Sequence, residues 1–232
     1  MYDHSLFLRT VAGLGGRLLA PYDLDVVLTD LAARLVEVFD LSGAGLVLTE
    51  ADGPASAVGF PAGVAAVERL QSHHRSGPCV EALRTGEVLA IHDLDEYADR
   101  WPEYCEAARR DGLGSAVAIP LRLGDHTIGV VDLYAGRREW AAEDLADAVV
   151  LADSITAFLV SASRLRQQEQ LAEQLQGALD SRTVIEQAKG VIAARTDVTV
   201  DEAFERIRRH ARTHHVTVRA VSDAIVNLGL QV

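Results

Sequence analysis

From Glu143 to about residue 194 nothing in the chain would stop an α-helix. The stretch contains no proline, and its only glycines are Gly177 and Gly190. Leu151, Phe158, Leu165, Ala172, Leu175 and Leu179 recur along it at intervals of seven, seven, seven, three and four, with polar Ser154, Ser161 and Gln168 between. That spacing predicts a coiled-coil seam with weak alternate layers. A leucine seam running beyond a domain needs a partner, and a second copy of the chain in a parallel homodimer is the expected one. The competing reading is a single surface helix.

The run divides the chain into parts of opposite charge. Residues 1–180 carry a net −14 and residues 181–232 a net +2, within a whole-chain net charge of −12. Such asymmetry points to two modules, here residues 1–162 and 181–232 joined by a connector helix over 163–180. The acidic total argues against the whole surface being a nucleic-acid or membrane sink, but leaves room for a local basic patch. Cys79 and Cys105 form no zinc spacing with each other and read as cytosolic thiols. The N-terminal residues lack a basic region followed by an apolar core, and no apolar run reaches 18 residues without charge. A soluble, cytoplasmic protein with no membrane contact is expected.

Residues 5–19 and 24–39 read as amphipathic helices, the second with Leu24, Val27, Leu28, Leu31, Leu35 and Val38 at helical spacing and Asp23 as N-cap. GAGLVLTE reads as a strand ending in a turn at Ala51-Asp52-Gly53. A third helix is predicted over Pro61–Gln71. EVLAIHD and SAVAIPLRL are short, apolar and β-branched, as strands should be. LRLGDHTIGVVDLYAG reads as a hairpin around Gly124-Asp125, and RWPEYCEAARRDGLG as a short helix closed by Gly112. The order predicts an α+β domain with a mostly antiparallel sheet and flanking helices.

RSGPCVEALRTGEVLAIHDL, followed by RWPEYCEAARRDGLGSAVAIPLRLGDHTIGVVDLYAG, resembles a GAF domain over roughly residues 20–162. The likeness rests on the Gly-Pro-Cys turn, the Arg-Thr-Gly before a strand, and the Ile-Pro-Leu strand with its glycine-containing hairpin. It implies a small-molecule sensor or dimer platform whose ligand the sequence does not name. Trp101, Tyr104 and Cys79 are the candidate pocket residues, with core closure as the competing role. A pocket, if used, is expected between the sheet and the helices at Pro61–Gln71 and Trp101–Arg110.

Little chemistry is legible in this module. His73, His74 and Cys79 have metal-ligating side chains, but a loop beside a buried thiol is the favoured reading, so no metal is expected. Asp93, Asp95 and Glu96 read as a solvated loop rather than an acid pair. The only lysine in the chain is Lys189, so no Gly-x-x-x-x-Gly-Lys phosphate loop exists. Nor is there a Gly-x-Ser-x-Gly elbow. No catalytic residue and no cofactor are expected, beyond an unidentified small molecule in the sensor domain.

After the connector come three amphipathic patterns. Val184, Ile185, Ala188, Val191 and Ile192 form the first stripe. The second begins with a capping box at Thr199 and Glu202, its core face being Ala203, Phe204, Ile207 and Ala211. The third starts near Thr217, with Val218, Val221, Ile225 and Leu228 inward and Gly229 as the stop. A three-helix bundle follows.

SRTVIEQAKGVI, DEAFERIRRHA and VRAVSDAIV together are similar to the ANTAR family of transcription antitermination regulators, over residues 180–228. The resemblance implies binding of RNA in tandem stem-loops, and a lysine at the place of Lys189. Lys189 lies about 100° round the helix from Ala188, off the centre of the apolar stripe. Arg182 shares its face seven residues earlier. Arg208, Arg212 and Arg219 flank the core faces of the other two helices, and Thr217 adds a neutral donor. These six are the candidate RNA-binding residues. The segment RTHHVTVRAV departs from the family pattern by placing His214 and His215 before the third helix. Two other functions stay open: a DNA-binding helix-turn-helix regulator, and a protein-binding scaffold without nucleic acid.

Overall fold

The computed structural model describes residues 4–16, 23–50 and 53–232, in two compact units, 1–162 and 163–232. The end of the first predicted helix (17–19) and the turn at Ala51-Asp52 lie outside the described residues.

The first unit contains α1 (His4–Gly16), α2 (Leu24–Phe39), β1 (Gly43–Glu50), β2 (Gly53–Phe60), α3 (Ala62–His74), α4 (Pro78–Thr85), β3 (Leu89–Ile91), α5 (Pro102–Arg110), β4 (Ser115–Leu123), β5 (His126–Ala135) and the start of α6 (Ala142–Thr196). Asp23 caps α2, its carboxylate accepting the Asp25 N–H at 2.9 Å. The strands form one antiparallel sheet in the order β2-β1-β5-β4-β3.

The two-residue period of a strand sends alternate side chains to opposite layers. On β5, Val131, Leu133 and Ala135 join Leu28, Leu31 and Leu35 of α2 and Leu151, Ile155 and Phe158 of α6 in the main core. Val130, Asp132 and Tyr134 face the other way, toward α3, α4 and α5. The α+β architecture and the antiparallel sheet agree with the sequence-based expectation. Three details differ. An eight-residue helix, α4, stands where none was expected; Pro78 opens it at a position whose N–H has no helical partner. EVLAIHD contributes only three paired residues, Leu89–Ile91. And Leu151 and Phe158 do not belong to an intermolecular seam, because both are buried by their own chain.

By length and composition α6 holds an 18-residue window apolar enough to cross a membrane, with mean hydropathy 1.7. Leu151, Ala152, Ile155, Phe158 and Leu159 place much of that apolar surface in the core of the first unit.

The second unit comprises the remainder of α6, α7 (Val200–Thr213) and α8 (Val218–Leu228). Its first bundle helix is not separate but the last part of the 55-residue α6. Ala188, Ile192, Ala203, Ile207, Ala211, Val221 and Ile225 form the core. The capping box closes reciprocally: Thr199 Oγ1 accepts the Glu202 N–H at 3.2 Å, and Glu202 Oε2 accepts the Thr199 N–H at 2.9 Å. Two inward assignments are corrected. Leu228 is 82% exposed at the last helical position before Gly229. Phe204 is only half-buried.

Candidate functional site

On the second unit, cations from two helices share one aromatic ring. The Lys189 ammonium on α6 lies 5.4 Å from the Phe204 ring centroid, and the Arg208 guanidinium on α7 lies 5.7 Å from it. Phe204 and Arg208 are four apart, so the helical period sets them on one face. The half-buried ring serves as a platform for cations rather than a core plug. Lys189 Nζ also donates to Glu186 at 2.9 and 3.0 Å. Its side chain is only 15% exposed, although its position lies off the centre of the apolar stripe.

Arg208 continues the surface into a groove of ≈ 510 Å³ between the end of α7 and the start of α8. Arg212, His215 and Thr217 line it too, over an apolar floor that includes Ala211 and Val216. Thr217 caps α8 by accepting the Ala220 N–H at 3.1 Å, which leaves its own hydroxyl proton to donate. Glu205 pairs with Arg208 at 3.0 Å and with Arg212 at 3.9 Å. Exposed pairs of this kind contribute about 0–1 kcal/mol, so a phosphate can displace them. Four of the six sequence-predicted residues, Lys189, Arg208, Arg212 and Thr217, therefore fall on one tract. Arg182 and Arg219 are exposed but do not line the groove. His214 stacks on His210, ring centroids 4.1 Å apart, and only His215 of the histidine pair reaches the groove.

In the first unit Trp101 and Tyr104 are buried in the core, Trp101 stacked on Tyr97 at 5.2 Å and meeting Tyr104 edge-on at 6.3 Å. Cys79 is not grouped with His73 and His74; His74 pairs instead with Glu103. Asp95 pairs with Arg109 and Arg137, as a solvated loop should.

Two residues that sequence reasoning passed over define the unusual chemistry here. Glu68 on α3 and Asp132 on β5 are both fully buried. Tyr134 donates to Glu68 Oε1 at 2.8 Å, and Gln71 Nε2 donates to Glu68 Oε2 at 3.2 Å and to the Tyr134 hydroxyl at 3.0 Å. Gln71 Oε1 accepts the Cys79 N–H at 3.0 Å, which ties α4 to the same cluster. Burial, then the neighbouring Asp132, pushes the Glu68 carboxyl well above its usual range. Burial raises Asp132 to about 7 and carries the Cys79 thiol upward as well. The sequence held a signal: Val64, Val67, Glu68 and Gln71 follow the apolar-stripe spacing of a helix, and Asp132 interrupts the apolar run GVVDLYA.

With an antiparallel five-stranded sheet, a connector helix and a C-terminal bundle in place, the class is defined. The sequence matches the GAF domain family over residues 23–159, and the chain belongs to that family. Residues 173–226 match the ANTAR domain, which makes the protein a GAF-containing regulator of the antitermination type. No curated protein matches the chain. Among solved structures it is similar to the GAF domain of a phosphoenolpyruvate-protein phosphotransferase from Coxiella burnetii, with TM-score 0.54 and 15% identity over 70% of this chain and 98% of that one. The GAF domain of the Acinetobacter phosphoenolpyruvate-protein phosphotransferase matches with TM-score 0.53 and 9% identity over 70% and 97%. Free methionine-R-sulfoxide reductase from Neisseria meningitidis matches with TM-score 0.51 and 19% identity over 72% and 97%. At such identities the likeness shows the fold alone. The last of the three is an enzyme, so the fold by itself does not separate sensing from catalysis.

Proposed function

We propose that this protein is a cytoplasmic, RNA-binding transcription antitermination regulator. Its ANTAR bundle takes hold of tandem RNA stem-loops, and its GAF domain senses a small molecule or serves as a dimer platform without catalysing a reaction. The observation that carries the reading is the tract from Lys189 across Phe204 to Arg208, Arg212 and Thr217. It offers cations for phosphates, a histidine for unstacked bases and a hydroxyl donor, the chemistry that looped RNA calls for. Arg182 and Arg219 would extend it along the backbone of a longer RNA. The modest net charge of the tail is doubled in a homodimer. Leu165, Leu171, Leu175 and Leu179 are 37–60% exposed on α6 and supply an apolar stripe for that pairing.

The test is competition binding. A two-hairpin RNA and a duplex DNA of equal length are titrated against the full chain at several salt concentrations. The reading expects the RNA to win, with log affinity falling linearly in log salt. Stronger binding to the duplex would favour a helix-turn-helix regulator, and salt-independent or absent binding to both a protein scaffold.

A further inference from the structure

Glu68, Cys79 and Asp132 come from α3, α4 and β5, and one ligand atom of each lies within 4.8 Å of the others. All three are buried, exposed by 0%, 1% and 0%. The groups that act on Glu68 are Asp132, Tyr134 and Gln71, and those that act on Asp132 are Cys79 and Glu68; none is a cation. Neither carboxylate oxygen of Asp132 has a hydrogen bond of normal geometry, Cys79 and Glu68 being the groups that reach it, and the buried Tyr104 hydroxyl beside Tyr134 has none either. Leaving such groups unmatched inside a protein is costly.

The space around them is built rather than left over. Asp132 is paired across the sheet with Gly45 on one side and Ala118 on the other. A Cβ at Gly45 would overlap the Glu68 carboxylate, so only glycine admits Glu68 against β1. Gln71 and Tyr134 hold the Glu68 carboxylate, and Gln71 also fixes the Cys79 backbone. Outer hydrogen bonds of this kind orient metal ligands.

We propose that Glu68, Cys79 and Asp132 bind one divalent transition-metal ion of the zinc class, making the GAF domain a metal-holding module. One thiolate and two carboxylates suit a borderline-soft ion. Calcium and magnesium are disfavoured, since they need a shell of oxygen ligands that this site does not supply. Three protein ligands leave a fourth position for water or a small-molecule donor, with the Tyr104 hydroxyl nearby to orient it. On binding, the cysteine and any protonated carboxylate release their protons to solvent as the metal–ligand bonds form.

The full chain is purified without chelator and its metal content measured by mass spectrometry. It is then stripped with chelator and titrated with cobalt(II), whose thiolate charge-transfer band reports sulfur ligation. The expected result is one ion per chain and a charge-transfer band. Cys79→Ser should abolish the band, and Asp132→Asn should weaken binding by roughly tenfold or more. Cys105→Ser, which removes the other buried thiol, should leave both unchanged. The proposal is overturned if the folded wild-type chain takes up no cobalt or zinc, the cluster then being a proton-sharing carboxylate pair. It is also overturned if the band survives Cys79→Ser or depends on Cys105. The wild-type titration decides the matter even if a ligand variant does not fold.

Discussion

Lys189 sits with its ammonium 5.4 Å from the centre of the Phe204 ring. The contact joins the end of α6 to α7 and covers a lysine stem that the helical wheel alone leaves in solvent. The cation is thus largely packed: its side chain is only 15% exposed, and its charge meets Glu186 beside the tract proposed for RNA.

Packing and charge separate two substitutions. Lys189→Ala removes stem and charge together, and should destabilise the bundle by about 1 kcal/mol, as expected for losing a partly desolvated cation–π contact. Lys189→Met keeps most of the stem and should cost less. Both should weaken RNA binding and lower the log–log salt slope by about 0.7–0.9, one phosphate contact. Urea unfolding and anisotropy titrations measure the two effects. Unaltered affinity and slope in both variants would show that Lys189 contacts no RNA.

The shared ring predicts coupling. In a double-mutant cycle, Lys189→Ala and Phe204→Ala should interact by about 0.5–1 kcal/mol in bundle stability. Additive effects would mean the ring and the ammonium do not sense one another.

The burial of Leu151 against its own chain divides the leucine seam into two functions. Replacing both Leu165 and Leu175 by Glu should yield monomers in sedimentation experiments while the GAF domain stays folded. Leu151→Ala should instead lower GAF stability by about 2–5 kcal/mol through a core cavity. A dimer that survives the double replacement would place the interface elsewhere.

The capping box carries a pH signature. Hydrogen bonds from the Thr199 backbone and hydroxyl hold the Glu202 carboxyl below its ordinary 4.5. A depressed acid contributes stability that is fully present above 4.5 and disappears as pH falls through the folded value. Helicity of α7, followed by circular dichroism in acid, should therefore decline below that point. In Glu202→Gln this component of the decline should vanish.

Gly45→Ala should destabilise the GAF domain by about 1–3 kcal/mol, because the new methyl meets the Glu68 carboxylate. In a Glu68→Ala background the same change should cost less. Thermal unfolding of the four proteins checks this, and equal costs in both backgrounds would refute the close packing of strand and carboxylate.

Periodic and local features were legible in the chain alone. Breaker-free spacing made α6 legible almost to its ends, the capping box announced α7, and short apolar runs bounded by turns placed β1, β4 and β5. The ANTAR resemblance together with helical phase picked out Lys189, Arg208, Arg212 and Thr217 as candidates, because side chains three or four apart share a face whatever the fold around them. Tertiary structure alone decided what depends on neighbours distant in the chain. It drew Leu151 and Phe158 into an intramolecular core, turned Phe204 from core residue into cation platform, and joined Glu68, Cys79 and Asp132 across two helices and a strand. A buried carboxylate reads in sequence as one more charge. Only the packing that removes it from water, and supplies no cation in return, makes it a candidate ligand.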